Sequence, residues 1–137
     1  MGEFNSIEEA RDFFTNDRFA TVNGMHLDGF TEEGCICSME IREDHRNALG
    51  GVMGGVIYTL ADFAFAIACN NDHRPTVGLD GSIHYLSPTK GFRLTARAVR
   101  VKNGRTTSVY NVTVTDDKGK EVALFTGTGY KLEKKET

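Results

Sequence analysis

Asp62 is the only charged residue between Gly50 and Asn71, in the middle of the run VIYTLADFAFAIACN at positions 56–70. A carboxylate in such surroundings either finds a partner or has its pKa pushed up, and carboxylates perturbed in this way lean towards acid–base or nucleophilic work. The bland alternative is a structural aspartate hydrogen-bonded to a neighbouring strand. Just before the run stand Gly54 and Gly55. If a helix begins there, its first N–H groups have no internal partner and lie at the positive end of the helix dipole. Glycine lets a ligand approach that backbone closely, so the position suits a carbonyl oxygen that becomes negative during a reaction. A tight turn that needs glycine is the competing explanation. Nucleotide motifs do not fit. Val52 interrupts the dinucleotide pattern counted from Gly50, and no Lys-Ser/Thr pair follows the last glycine as a phosphate loop requires.

Asp62 lies eight residues beyond Gly54, about 12 Å along a helix. Donors at one end and a carboxylate that far away do not reach one carbonyl. Two helices packed antiparallel about a two-fold axis would bring them together, so a working Asp62–Gly54 pair predicts a homodimer with two shared sites.

The elements that must hold these residues follow from periodicity and turn signals. Ser6-Ile7-Glu8-Glu9 is a capping box opening a short amphipathic helix over about 7–15. Extended segments are expected over about 18–30 and 34–43. In the second, Cys35, Cys37, Met39 and Ile41 share one face. The apolar run forms a buried central helix over about 54–70, capped near Asn70-Asn71. Strands are expected over about 76–86, 92–102, 105–116 and 120–131, parted by Ser87–Gly91, Asn103-Gly104 and Asp117-Lys118-Gly119. Strands this long can curl around the helix, giving an α+β fold, an antiparallel sheet wrapped around a central buried α-helix, in a single domain over 1–137 with a charged, solvated tail at 132–137.

The 137 residues carry a net charge of −3, which argues against a general nucleic-acid binder. The charge is unevenly placed. Between Asp80 and Asp116 there is no acid, while Lys90, Arg93, Arg97, Arg100, Lys102 and Arg105 all fall there. Such segregation marks either an anion site or strand cations paired with acids elsewhere. No apolar run reaches the roughly 18 residues of a membrane span, and the first residues lack a signal-peptide pattern. Cys35, Cys37 and Cys69 make no even disulfide set, which points to a reducing, cytoplasmic compartment. His45, His73 and His84 form no ligand set for a metal. A loop histidine such as His45 is expected to be solvated.

The stretch NALGGVMGGVIYTLAD (47–62) resembles the signature of hotdog-fold acyl-CoA thioesterases of the PaaI-like group, as do the later VGLDGSIHYLSPTKG and KNGRTTSVYNVTVTDDKGKEVALFTGTGY. The likeness covers about residues 18–131. It implies a hotdog fold, hydrolysis of acyl-CoA with no cofactor besides the coenzyme A of the substrate, and a homodimer, usually a dimer of dimers. It implies that Asp62 is the base or nucleophile, that Gly54 N–H polarises the thioester carbonyl beside Gly55, and that Asn47 orients substrate or water from the partner subunit. By the same resemblance Lys102, Asn103, Gly104 and Arg105 meet the phosphates of coenzyme A. Two positions depart from the pattern. Met53 stands where the family commonly has histidine, and methionine can only pack. Gly78 stands where relatives often place Ser or Thr to position water; Thr76 lies on the same strand face, displaced by about 6–7 Å. A non-enzymatic acyl-CoA binder is the alternative reading, and Met53 argues against a hotdog dehydratase or hydratase.

Overall fold

The computed structural model describes residues 2–134. Six antiparallel strands form one sheet in the order β1-β2-β4-β5-β6-β3: β1 (His26–Phe30), β2 (Gly34–Glu40), β3 (Thr76–Tyr85), β4 (Arg93–Asn103), β5 (Thr107–Asp116) and β6 (Glu121–Lys131). The helix α3 (Gly54–Asp72) lies across its inner face. Period-2 alternation explains the packing. On β5 the side chains of Ser108, Tyr110, Val112, Val114 and Asp116 are buried while the residues between them are not. Ile57, Leu60, Phe63, Ala64, Phe65, Ile67 and Ala68 of α3 fill the concavity. The wrapped-helix architecture is the one the sequence predicts.

Three details differ from expectation. The segment expected to be extended from residue 18 begins with a one-turn helix, α2 (Arg18–Val22), before β1 starts. Its Phe19 and Val22 are exposed and Ala20 is buried, so the apolar spacing follows a helical turn rather than a strand. The capping box of α1 (Ile7–Phe14) is half formed. Ser6 Oγ accepts from Glu9 N–H at 3.1 Å, but the Glu9 carboxylate takes the Asn5 amide instead. The central helix runs past Asn70-Asn71 to Asp72, because the Asn70 side chain grips the backbone of Thr76 rather than ending the helix. In the tail, Leu132 N–H binds Pro75 O and Lys134 pairs with Glu3, so residues 132–134 are tied down. Residues 135–137 lie outside those described.

The sheet fixes two ends for the molecule. Tyr85 of β3 lies beside Ala123 and Val114, whereas Val77 lies beside Tyr130 and Thr107. Because α3 runs antiparallel to β3, its first residue sits at the Tyr85 end and its last at the Thr76 end.

Candidate active site

Gly54 opens α3. Met53 is its N-cap and offers no side-chain hydrogen bond, so the donors of the first turn are left to the backbone. Val56 and Ile57 N–H turn back to Met53 O at 3.0 and 3.4 Å, while Gly54 and Gly55 N–H have no partner among the described residues. Two adjacent free donors at the positive end of a 19-residue helix make a site for developing negative charge. Met53 is 52% exposed and folds its terminal methyl over Gly55; a Cβ at Gly55 would lie 2.9 Å from it. The methionine is an apolar wall beside the donors. On the other flank the Tyr85 hydroxyl donates to Gly54 O at 2.9 Å.

Asn47 holds the loop that leads into the helix. Its Oδ1 accepts from Leu49 and Gly51 N–H at 3.0 and 3.1 Å, and the loop closes through Gly50 at φ 87°. The carbonyl side of the amide is therefore spent on local structure. A cleft of about 480 Å³ next to the loop is lined by Asn47, Leu49, Val52, Ile57, Pro88 and Lys90.

Asp62 is exposed on the surface of the single chain, against the expectation of full burial. The reason is a narrow seam on α3. Gly55, Thr59, Asp62 and Ala66 follow one another at helical spacing and none is covered by the sheet. The composition of the run hides this seam, since three of its four members are small. Asp62 sits in a cleft of about 440 Å³ between α3 and α2, with Asp17, Phe19, Tyr58 and Phe63 among its walls. The walls of this cleft withdraw the carboxylate in part from water, and this, then the like charge of Asp17, holds its carboxyl above the ordinary value. Tyr58 borders this cleft, while Phe65 is core, edge-on to Tyr110.

Other candidates are placed as follows. Thr76 is buried at the far end of α3 and its hydroxyl donates to His73 O. Gly78 is exposed on β3, and a Cβ there would meet only Phe65 at an ordinary 3.7 Å. Lys102, Asn103 and Arg105 are exposed and Gly104 half-buried at the β4–β5 hairpin. Neither Asn103 nor Gly104 has positive φ; Gly104 N–H instead reaches Thr107 O, a wider turn than the dipeptide signals. Lys131 joins the hairpin by donating to Asn103 Oδ1 and Gly104 O, a third cation there that the sequence did not flag. Two of the other cations in the acid-free stretch are paired, Arg100 with Asp72 and Arg93 with Asp28. His45 is buried, not solvated. Its Nδ1 accepts from Arg42 N–H and its Nε2 binds Asn23 Oδ1, while loss of solvent pushes the imidazole pKa down. Among the described residues no cluster of His, Cys, Asp or Glu is arranged to hold a metal ion.

Residues 49–123 match the model of the family described as Thioesterase superfamily. The chain is 30% identical to the acyl-coenzyme A thioesterase PaaI of Escherichia coli over 126 residues, 91% of this chain and 90% of that one. It is 36% identical to human acyl-coenzyme A thioesterase 13 over 84 residues, 59% of this chain and 60% of that one. Among solved structures, the Escherichia coli PaaI protein superposes with a TM-score of 0.87 at 29% identity, covering 95% of both chains. The TT0310 protein of Thermus thermophilus superposes with a TM-score of 0.79 at 39% identity, covering 85% of this chain and 98% of that one. The sheet wrapped on α3 is thus the hotdog fold.

Proposed function

This chain belongs to the thioesterase superfamily and is a thioester hydrolase; from that premise we propose that it cleaves acyl-CoA to a free acid and coenzyme A. The observation that carries the mechanism is the pairing of free Gly54 and Gly55 N–H groups with the uncovered Asp62 two turns along the same helix. Asp62 takes a proton from water, the water oxygen adds to the thioester carbonyl, and the N–H of Gly54 holds the resulting oxyanion. Collapse of the tetrahedral species breaks the C–S bond, and the coenzyme A thiolate leaves and takes up a proton. Direct attack by the carboxylate is the other route; it forms a mixed anhydride that water then opens. No cofactor is required beyond the coenzyme A of the substrate.

Within one chain the two groups are too far apart for one carbonyl, about 12 Å along the axis. A second copy resolves this. β3 is an edge strand, and its Val77 and Leu79 are 44% and 61% exposed. An unpaired apolar edge favours pairing with another strand. Antiparallel pairing of β3 with β3 of a second copy brings the two seams of α3 together, so that Gly54 of one protomer meets Asp62 of its partner. The same operation supports the assignment of the phosphate-binding hairpin. Lys102–Arg105 lies at the Thr76 end of its own sheet, about 26 Å from Tyr85, and the two-fold carries it to the Gly54 end of the other chain. Asn47 stands at that mouth, its Oδ1 held by the loop and its amide NH₂ without a partner among the described residues, available to orient water or substrate. Met53 and Gly55 flank the thioester, and Gly78 with Thr76 lies along the edge where the copies meet. By the family resemblance, the proposed homodimer pairs further as a dimer of dimers. Three buried free cysteines support a cytoplasmic home.

Free-thiol release from short, long and aromatic acyl-CoAs, with wild type beside Asp62→Asn, tests the reading. The expected result is release by the wild type and a loss of about 10²–10³ in kcat for the variant, the scale of a lost catalytic base. An unimpaired Asp62→Asn enzyme overturns the mechanism. Tight binding without release from any substrate returns the protein to an acyl-CoA binder.

A further inference from the structure

We propose that Tyr85 is a positioning residue for the oxyanion site, acting through the Gly54 carbonyl to set Gly55 N–H as a second donor. The inference rests on the thioesterase reading above and goes beyond it. The Gly54 carbonyl and the Gly55 N–H are the two ends of one planar, conjugated peptide unit. The Tyr85 hydroxyl donates to that carbonyl at 2.9 Å, and the N–H at the opposite end has no partner among the described residues. A hydrogen bond accepted at the oxygen draws electron density out of the nitrogen and makes its N–H a stronger donor. Such cooperative strengthening is about 10–30% per bond. It also fixes the tilt of the peptide plane, so that Gly55 N–H points out of the helix end beside Gly54 N–H.

The fit between the two residues is specific. A Cβ at Gly54 would stand 3.0 Å from both Cζ and Oη of Tyr85, so any other residue there crowds the hydroxyl away from the carbonyl. The ring is not core: Tyr85 is 54% exposed, and its hydroxyl makes this one hydrogen bond among the described residues. Packing alone gives no reason for a tyrosine rather than a phenylalanine at the end of β3. The start of α1 is closed by Ser6, whose side chain takes up one of the helix's donors; here the tyrosine leaves the donors free and braces the acceptor behind them.

In this positioning role the tyrosine keeps its proton and acts through the peptide rather than on the substrate, and its effect grows with the charge on the thioester oxygen. It therefore belongs in kcat rather than KM. For Tyr85→Phe the expected result is a fall in kcat of about 3- to 10-fold, from the weakened and less well aimed donor, with KM and oligomeric state unchanged and the melting temperature lowered by no more than the few degrees one exposed hydrogen bond is worth. The second readout is the carbonyl stretch of an isotopically labelled thioester bound to Asp62→Asn. It should be shifted to lower frequency, and shifted less in Asp62→Asn/Tyr85→Phe. Wild-type kcat in Tyr85→Phe, a loss that tracks a lowered melting temperature, or an identical carbonyl stretch in the two backgrounds overturns the proposal. An active Asp62→Asn enzyme is a different failure, that of the mechanism on which the proposal rests, and it is seen in the same assay.

Discussion

At the last turn of α3, Asp72 accepts two hydrogen bonds from Arg100 at 2.6 and 2.8 Å and a third from the buried Tyr110 hydroxyl, and Asn70 holds both the N–H and C=O of Thr76. At the first turn, 18 residues earlier, two N–H groups have no partner among the described residues and the N-cap is a methionine. One helix thus has an end in which side chains from β4 and β5 satisfy every charge, and an end left open. An unfilled donor costs stability, and natural helices close their starts with Ser, Thr, Asp or Asn. On the proposed mechanism the closed end serves folding and the open end serves chemistry.

The largest way to break that contrast is to deny the open end its second copy. Leu79 lies at the bulge of β3, between the paired Gly78 and Asp80, with its side chain exposed. Leu79→Arg places a charge on each side of the proposed two-fold edge. The expected outcome is a monomer by sedimentation with turnover lower by at least about 10²-fold, since each Gly54 then lacks the partner's carboxylate. A fully active monomer would show that one chain completes the site alone.

Exchanging the insult between the two ends is the next test. Asp72→Ala strands the Arg100 guanidinium and the Tyr110 hydroxyl, and should cost about 2–3 kcal/mol in urea denaturation while kcat per folded site is kept. Gly54→Ala should do the reverse. Alanine's better helix propensity, up to about 1 kcal/mol, offsets the crowding against Tyr85, so stability stays nearly constant. The moved peptide should lower kcat about 10-fold. Equal effects of both variants on both quantities would erase the distinction between the ends.

What the sequence reveals divides along the same line. The central helix, five of the six strands and the Asp62–Gly54 spacing are legible, because apolar period and glycine placement are local signals. The closed end is not. Asp72 meets partners 28 and 38 residues away, and nothing near it in sequence announces them. Nor is the exposed seam, since Gly55 and Ala66 are as small on an uncovered face as they would be in a core. α2 is missed for a related reason: five residues give too little period to separate one helical turn from a strand. Tyr85 goes unremarked because its role depends on a carbonyl 31 residues earlier. Asp17 becomes relevant only through its place across the cleft from Asp62.

The Asp17–Asp62 pair gives a pH signature. Desolvation first, and Asp17 second, raise the Asp62 pKa, so the acid limb of kcat/KM should lie above the ordinary carboxylate range. Asp17→Asn removes the like charge and moves the limb to lower pH; Arg18 and Tyr58 border the same cleft and stay in place. The stability sign is fixed as well. Between the unfolded pKa and the raised folded one, the folded chain binds more protons than the unfolded chain, so stability falls as pH rises through that window. Asp62→Asn abolishes this fall and should be more stable than wild type at neutral pH. A limb at the ordinary carboxylate value, unmoved by Asp17→Asn, would detach Asp62 from the rate.

The smallest effect concerns the hairpin, which stands at the closed end of its own chain but serves the open end of its partner. Lys102→Ala with Arg105→Ala should raise KM for acyl-CoA about 3- to 10-fold, with kcat kept and the difference shrinking in high salt, as exposed charges are screened. Mixed dimers make the geometry decisive. If Asp62 and the hairpin reach a given Gly54 from the same partner, pairing wild type with a chain that carries Asp62→Asn, Lys102→Ala and Arg105→Ala together leaves one site whole. Such a dimer keeps half the turnover at the wild-type KM. Placing Asp62→Asn on one chain and the two alanines on the other leaves the single working site without its cations, so the same half turnover appears at the raised KM. A reversal, with the raised KM in the first pairing and the wild-type KM in the second, would mean that the hairpin and the carboxylate come from different chains, and the proposed two-fold would have to be redrawn; equal KM in the two pairings would remove the hairpin from the site.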